Sequence, residues 1–212
     1  MTAPGVESRL PAFDVILFDV GGVLLTNGWD HGERAAAIAH FGLDGAEFER
    51  LHAIHYGEWE SGAITREEYL KRCVFTSPRQ FTEDEFYEFV LSGSKLPEDS
   101  AMGNLIAIHS SNKYVLGALN NEAREPNEFR FAHFGLSGYF DLRLSSCYLG
   151  LRKPGAAIYL RALEILNRAA ERVLFIDDRV ENVAGAEAVG MKAIQFSGAE
   201  SLSAQLRGLG VL

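Results

Sequence analysis

The chain has 212 residues, 47% hydrophobic and 23% charged, a composition typical of a globular protein with one sizeable core. Its net charge of −9 argues against general binding to nucleic acid or to anionic membranes, but it is compatible with a small anionic substrate. A cytoplasmic protein without membrane association is predicted, because the chain has only two cysteines, no apolar run of membrane-spanning length and no visible signal peptide in residues 1–12.

The first predicted element is a buried strand, Val15–Phe18, since a run of apolar residues is typical of a parallel-sheet strand covered on both faces. Asp19 follows at once, and Gly21 and Gly22 allow the backbone to turn sharply and bring its N–H groups close to a ligand. The carboxyl ends of such strands are where open α/β sheets form their active sites. Taken alone, Asp19 could equally cap the turn that follows.

The next section, residues 31–93, contains no convincing buried strand. Helices are predicted there at residues 33–41, 45–56, 67–73 and 83–91. Thr65 and Glu68 have the form of a capping box at the start of the third helix. We therefore expect residues 28–94 to form a helical cap domain, inserted into a core domain made of residues 1–27 and 95–212.

Strands and helices alternate again after Pro97. Strands are predicted at residues 114–119, 142–145, 173–176 and 193–196, and helices at residues 102–109, 156–166, 182–189 and near the carboxyl terminus. This alternation predicts an α/β fold in which a doubly wound parallel sheet has right-handed crossovers and carries the helical cap as an insertion.

Polar residues follow the predicted strands and should meet at one edge of the sheet. They are Asp19, Asn120, Asn121, Lys153, Asp177 and Asp178. Two acidic clusters make an oxygen-rich site that suits Mg²⁺, and one of the carboxylates could also attack phosphorus. A lysine about 4 Å from a carboxylate would add roughly 4 kcal/mol of attraction at an effective dielectric constant of about 20.

These clusters resemble, in order, the four motifs of the haloacid dehalogenase-like hydrolases. In this chain the motifs are Phe18-Asp19-Val20-Gly21-Gly22-Val23-Leu24, Leu119-Asn120-Asn121, Arg152-Lys153-Pro154 and Phe175-Ile176-Asp177-Asp178. The helical insertion lies where the family's first subgroup carries its cap. The resemblance extends over about residues 13–196 and is closest to the phosphatase branch that includes bacterial sugar phosphatases and the N-terminal domain of soluble epoxide hydrolases. It implies a Rossmann-like core.

The resemblance implies a Mg²⁺-dependent phosphomonoester hydrolase acting on a small phosphorylated metabolite. Asp19 would be the nucleophile that forms an aspartyl-phosphate, and Lys153 would hold both the nucleophile and the phosphate in place. The implied Mg²⁺ ligands are Asp19, the backbone carbonyl of Gly21, Asp178 and, directly or through water, Asp177. The implied phosphate donors are the backbone N–H groups of Val20, Gly21 and Gly22 and the groups at Asn120 and Asn121.

Two positions depart from the family pattern. Gly21 stands where the family usually has a second Asp that acts as general acid and base. Without this Asp, the hydrolysis of an ester with a poor leaving group would be slower by a factor of about 10²–10⁴. This factor corresponds to about 3–5 kcal/mol of activation free energy. Asp30 or His31 could supply the proton, or both could be solvated loop residues. Asn120 stands where Ser or Thr is usual, and its amide N–H₂ can donate to a phosphoryl oxygen as a hydroxyl does.

Two alternative functions stay open at this point. A 2-haloacid dehalogenase would share the fold and the nucleophile without a metal, although the paired acids Asp177 and Asp178 argue against it. A catalytically weak member that binds a phosphorylated ligand is the second alternative, and a phosphomutase is less favoured because it depends on the missing Asp. Substrate selection is predicted to lie in the cap, and the candidate residues, which could instead pack the cap, are Trp29, His55, Tyr56 and Trp59.

Overall fold

The computed structural model describes residues 12–212, so residues 1–11 of the predicted core domain and of the segment searched for a signal peptide lie outside the described residues. A five-stranded parallel sheet forms the centre, with the strand order β3-β2-β1-β4-β5. Its strands are β1 (Val15–Phe18), β2 (Val115–Ala118), β3 (Leu142–Arg143), β4 (Val173–Asp177) and β5 (Lys192–Gln195). This arrangement confirms the predicted Rossmann-like α/β fold.

Helices cover the sheet and form the section between β1 and β2. Within the described residues they are α1 (His31–Phe41), α2 (Gly45–Glu60), α3 (Arg66–Cys73), α4 (Glu83–Ser92), α5 (Met102–Ser111), α6 (Arg124–His133), α7 (Ser146–Leu149), α8 (Ala156–Leu166), α9 (Val180–Ala188) and α10 (Ala199–Gly208). None of them has the length and hydrophobicity needed to span a membrane.

Alternate residues of β1 enter two separate cores, because successive side chains of a strand point to opposite faces. Ile16 and Phe18 pack on one face with residues of α5, α6 and α10. Val15 and Leu17 pack on the other face with residues of α8 and α9. Burial on both faces explains the continuous apolar run of the strand, and it places Asp19 at the open carboxyl end of the central strand.

Helices α1–α4 form a third hydrophobic cluster of their own. Phe86 lies fully buried in it, and Phe81 and Phe89 pack against it, as expected for a bundle core. The predicted capping box is confirmed, since the Thr65 hydroxyl accepts from the Glu68 N–H at 3.2 Å and the Glu68 carboxylate accepts from the Thr65 N–H at 3.1 Å. Residues 31–93 contain no strand.

The two chain segments that join this helical section to the sheet run side by side. The hydroxyl of Thr26 donates to the carbonyl of Gly93 at 2.7 Å and accepts from the N–H of Lys95 at 2.9 Å. The predicted boundaries, after residues 27 and 94, fall at this connection. The division into core and cap domains stays a prediction.

The main differences from the predicted elements are a shorter third strand, a longer second helix and two helices that were not predicted, α6 and α7. The strand predicted at 142–145 is shortened to Leu142–Arg143, and Ser146–Leu149 then forms the short helix α7. The second predicted helix continues to Glu60, four residues beyond its predicted end. Helix α6 was not predicted, because its buried face mixes the polar residues Asn127 and Arg130 with Pro126 and Phe131 and so lacks a continuous apolar stripe.

Candidate active site

The polar clusters converge beside a cavity of about 500 Å³ between the sheet and the helical section. From the sheet side it is lined by Asp19, Asn121 and Lys153, and from α1 and α2 by Arg34, His52, Tyr56 and Glu60. The predicted meeting of the residues that follow the strands is therefore observed for Asp19, Asn121 and Lys153. Both parts of the chain therefore form the wall of the cavity.

Lys153 is the centre of the charged cluster. Its Nζ lies 3.0 Å from Oδ1 of Asp19 and 2.6 Å from Oδ2 of Asp177, and the side chain is almost fully buried. The side chain of Asn121 holds the lysine backbone, since its Nδ2 donates to the Lys153 carbonyl and its Oδ1 accepts from the Lys153 N–H, both at 2.9 Å. Although burial opposes the charge, Asp19 and Asp177 raise the pKa of Lys153 above its ordinary value, so the ammonium form persists.

Asp19 is buried immediately after β1, with only 7% of its surface exposed. Burial raises the pKa of its carboxyl to about 7, and the neighbouring Asp177 and Asp178 act in the same direction, whereas Lys153 opposes the shift. One ammonium thus faces three carboxylates, and the cluster has an excess of negative charge. A divalent cation would relieve this excess and favour the ionised nucleophile.

Asp177 and Asp178 have different surroundings. Both oxygens of Asp177 accept hydrogen bonds from Asn182 Nδ2, at 3.0 and 3.1 Å, and they also accept from the Arg179 N–H at 2.9 Å and from Lys153. In contrast, Oδ1 of Asp178 is buried without a hydrogen-bond partner among residues 12–212. Asp177 is therefore used in holding Lys153, while Asp178 has an oxygen available for a cation.

The geometry of the three carboxylates fits a metal site. Asp19, Asp177 and Asp178 each offer a ligand oxygen, and these oxygens lie within 4.8 Å of one another. The close approach depends on Gly22, because a Cβ there would lie 2.2 Å from Oδ2 of Asp178 and because its φ of +75° disfavours other residues. An all-oxygen donor set with an unpartnered buried oxygen suits Mg²⁺.

The loop after Asp19 uses two of its three predicted phosphate donors internally. The Val20 N–H donates to Oδ1 of Asp19 at 2.8 Å, and the Gly22 N–H donates to the Leu25 carbonyl at 2.7 Å. The N–H of Gly21 makes no hydrogen bond within the described part of the chain. Gly21 is therefore the best-placed donor of the three, and binding of phosphate by this loop stays a prediction.

Asn120 lies outside the cavity lining, in a buried network. Its Nδ2 donates to Oδ1 of Asn127 at 3.0 Å, and its Oδ1 accepts from the Ser145 hydroxyl at 2.7 Å. Only one of the two N–H groups of the amide is used there, but the residue is 1% exposed, so the side chain must move to reach a phosphoryl oxygen in the cavity. Its predicted role on phosphate stays a prediction, and the observed contacts link β2 to α6 and to the end of β3.

A buried ion pair that the sequence analysis did not identify borders the position of the missing Asp. The Nη1 of Arg130, in α6, lies 2.6 Å from Oε2 of Glu122, and both residues line the cavity. The same guanidinium donates to the carbonyls of Thr26 and Asn27, and its Nη1 lies 3.7 Å from where a Cβ of Gly21 would be. Because α6 was not predicted, no local signal pointed to this pair.

The candidate cap residues fall into two groups. Trp29 and Tyr56 line the cavity. Trp59 does not line it but stacks on Tyr69 at 4.3 Å in the helical core, and His55 pairs with Glu58 at 2.9 Å. The sequence analysis also missed His52, which lines the cavity, and chose His55 of the same helix instead.

Both candidate proton donors, Asp30 and His31, line the cavity. Asp30 also caps α1, because its Oδ1 accepts from the Gly32 N–H at 2.8 Å. His31 lies 3.7 Å from the Glu49 carboxylate and is largely exposed. Neither donor role is tested by these contacts.

The chain is similar to known proteins over nearly its whole length. The sequence profile of the haloacid dehalogenase-like hydrolases matches residues 13–190. Flavin mononucleotide hydrolase 1 of Arabidopsis thaliana, whose name assigns it to the chloroplast, is 29% identical over 205 residues, which are 96% of this chain and 80% of that protein. The predicted cytoplasmic location stays a prediction.

Solved structures share the same fold. A haloacid dehalogenase family enzyme from Bacteroides thetaiotaomicron, a variant in complex with magnesium and inorganic phosphate, superimposes with a TM-score of 0.78 at 20% identity over 92% of this chain and 100% of that one. A 2-haloacid dehalogenase from Pseudomonas syringae superimposes with a TM-score of 0.62 at 20% identity over 87% of this chain and 86% of that one. At these identities both structures establish the fold alone.

Proposed function

The chain belongs to the haloacid dehalogenase-like hydrolases, and within that family we propose that it is a Mg²⁺-dependent phosphomonoesterase that acts on a small phosphorylated metabolite. One observation carries the proposal. The ammonium of Lys153 bridges Asp19 and Asp177, and Asp178 adds a carboxylate with an unpartnered buried oxygen beside them. Buried charges are costly, so their assembly at the mouth of a cavity supports a catalytic purpose.

In the proposed reaction, a carboxylate oxygen of Asp19 attacks phosphorus. The new O–P bond forms as the bond from phosphorus to the ester oxygen breaks, and the leaving group departs as an alcohol once it gains a proton. Water then attacks the aspartyl-phosphate at phosphorus, which releases inorganic phosphate and regenerates Asp19. Lys153 holds the nucleophile through its 3.0 Å contact and offsets negative charge that develops on the phosphoryl oxygens.

The residues proposed to hold Mg²⁺ are Asp19, Asp178 and the backbone carbonyl of Gly21, with Asp177 directly or through water. When bound, the ion would supply positive charge that reduces the repulsion between the carboxylate and the phosphate. Asp177 already accepts from Lys153, Asn182 and Arg179, and these contacts favour an indirect role for it. The magnesium complex of the Bacteroides enzyme is consistent with this proposal.

The helical section is proposed to act as the cap that selects the substrate. Its helices have their own core, and it contributes Arg34, His52, Tyr56 and Glu60 to the cavity wall. A volume of about 500 Å³ is within the range of small-molecule sites and favours a metabolite over a macromolecule. Flavin mononucleotide, the substrate in the name of the Arabidopsis relative, is the first compound to test.

The alternatives predict different contacts at the acid cluster. A metal-free dehalogenase has no use for a buried carboxylate oxygen that lacks a partner, such as Oδ1 of Asp178. A weak phospholigand-binding member would need neither a nucleophile nor a lysine held between two carboxylates. The phosphatase proposal accounts for Asp19, Lys153 and Asp178 together.

The proposal is tested by assaying hydrolysis with and without Mg²⁺ on a panel that contains flavin mononucleotide, phenyl phosphate and 2-chloropropionate. We expect phosphate release that is lost with a chelator and restored by Mg²⁺, and no chloride release. Asp19→Asn should reduce phosphate release at least about 10³-fold while retaining the circular dichroism spectrum, because the amide is a poor nucleophile.

Asp84→Asn is the matched control, since its carboxylate is 81% exposed on the helical section and should be irrelevant to turnover. Chloride release that does not require metal would support the dehalogenase instead. Binding of phosphate esters without any turnover would support the non-catalytic alternative.

A further inference from the structure

His52 lies in α2 at the cavity wall and is held firmly in place. Only 7% of the residue is exposed. Its ring lies against Tyr56, with centroids 4.5 Å apart, and stacks near Phe48 at 6.0 Å with an interplanar angle of 19°. These contacts fix the plane of the imidazole, so its two nitrogens have defined and different surroundings.

A chain of hydrogen bonds fixes which nitrogen carries the proton. The indole Nε1 of Trp29 lies 3.2 Å from the hydroxyl of Tyr69, and that hydroxyl lies 2.7 Å from Nδ1 of His52. An indole nitrogen can only donate, so the Tyr69 oxygen accepts from Trp29. The hydroxyl hydrogen has no other acceptor within residues 12–212, so it is donated to Nδ1 of His52.

The proton of the imidazole is therefore on Nε2. Burial lowers the pKa of His52 to about 4, and the nearby Arg34 contributes to the shift while Glu49 opposes it, so the ring is neutral at physiological pH. Nε2 makes no hydrogen bond to any described residue, and it keeps some exposure to solvent. Because His52 lines the cavity, its Nε2–H is available to a ligand there.

We propose that His52 is a specificity-determining residue whose Nε2–H donates a hydrogen bond to an acceptor on the leaving group of the substrate. Tyr69 is then a positioning residue that acts through the tautomer of His52. The inference rests on the proposed phosphatase function and narrows its substrate class. An N–H donor needs a lone-pair acceptor, so the leaving group should carry one, such as a carbonyl oxygen or an unprotonated ring nitrogen.

The proposal is tested by comparing two phosphomonoesters, flavin mononucleotide, whose ring system offers such acceptors, and phenyl phosphate, whose leaving group has none. In His52→Met, the ratio of kcat/KM for flavin mononucleotide to that for phenyl phosphate should fall about tenfold, the loss of one neutral hydrogen bond. The change should appear mainly in KM. His52→Gln, which keeps a neutral N–H donor, should recover most of the ratio.

The tautomer is measured independently of activity by nuclear magnetic resonance of the protein with ¹⁵N-labelled histidine. The wild type should show Nε2–H with an unprotonated Nδ1 between pH 6 and pH 8. In Tyr69→Phe the ring should exchange between both tautomers, and the substrate ratio should fall by less than in His52→Met.

Two results would overturn the inference. They are an Nδ1–H tautomer in the wild type and an equal effect of His52→Met on both substrates. Failure of the underlying function has a different signature, because the wild type would then release phosphate from neither compound while the resonance of His52 could still be assigned.

Discussion

Gly21 is the residue that most limits the proposed chemistry. In the loop after Asp19 it leaves no side chain that could give a proton to the leaving group. The space beside it is bordered by Asn27 and Arg130, at 3.1 and 3.7 Å from the position of a Cβ. Its φ is not positive, unlike that of Gly22, so the backbone accepts a side chain at residue 21 but not at residue 22.

We therefore predict that Gly21→Asp is tolerated and increases the hydrolysis of an alkyl phosphate more than that of phenyl phosphate. Asn27 must shift by a few tenths of an ångström, and Arg130 would pair with the new carboxylate, lower its pKa and reduce the fraction that carries a proton to donate. The ratio of kcat/KM for phenyl phosphate to that for the alkyl phosphate should fall about 10²-fold, which is the low end of the contribution of general acid catalysis. The measurement is kcat/KM for glycerol 2-phosphate and phenyl phosphate.

Gly21→Asn is the control, because it has the same shape but carries no acidic proton. If both variants narrow the gap equally, the effect comes from packing against Arg130 and not from proton donation. If neither variant does so, another residue of the cavity already supplies the proton.

In the helical section, a contact between two helices creates a pH dependence of stability. His52 is buried in α2 with its ring against α3 through Tyr69. Burial lowers its pKa from 6.5 to about 4 in the folded chain. Between these values the unfolded chain binds a proton on His52 that the folded chain does not bind, so unfolding becomes easier as the pH falls from 6.5 to about 4.

We predict that this group alone removes up to about 3 kcal/mol from the free energy of unfolding across that window. In His52→Gln the free energy of unfolding should fall less between pH 7.0 and pH 5.0 than it does in the wild type. Urea unfolding at pH 7.0 and pH 5.0 measures the difference between the two proteins. His109→Gln, in α5 outside this cluster, should keep the wild-type sensitivity, and an unchanged sensitivity in His52→Gln would contradict the buried neutral state.

Helix α6 is the element that sequence patterns did not reveal. Pro126 lies in its first turn, where a missing N–H is not needed, so proline does not prevent the helix. Its buried face carries Asn127 and Arg130, which bond to Asn120, Ser145 and Glu122. A helix packed against a polar site buries polar residues, and an apolar period is then absent.

At the scale of the whole molecule, an acidic chain with net charge −9 has its carboxylate cluster at the junction of sheet and helical section. A cation that binds only the folded state stabilises it by mass action. We predict that Mg²⁺ at ten times its Kd adds about 1.4 kcal/mol to the free energy of unfolding. For a chain of this length the expected increase in Tm is about 3–6 °C.

Asp178→Asn should lose most of that Mg²⁺-induced increase in Tm, since it removes the carboxylate with the unpartnered oxygen. Asp84→Asn, whose carboxylate is exposed, should retain it. Thermal unfolding with Mg²⁺ and with a chelator gives both values. Equal increases in the two variants would place cation binding elsewhere on the acidic surface.

The sequence by itself determined the α/β fold, most of the elements and the set of residues that meet at the strand ends. Buried parallel strands read as apolar runs, and the residues that follow them must lie at one edge of the sheet. Asp19, Lys153 and Asp177 come together as those rules require. For these features the deciding information is local in the chain.

Only the tertiary structure decided which residues are the hydrogen-bond partners and neighbours of the site residues. Asn120 is engaged by Asn127 and Ser145, and Arg130 stands beside Gly21 although 109 positions separate them in the sequence. The tautomer of His52 depends on Tyr69 and Trp29, which come from different parts of the helical section. Hydrogen-bond partners are chosen by proximity in space, and periodicity along the chain carries no record of that choice.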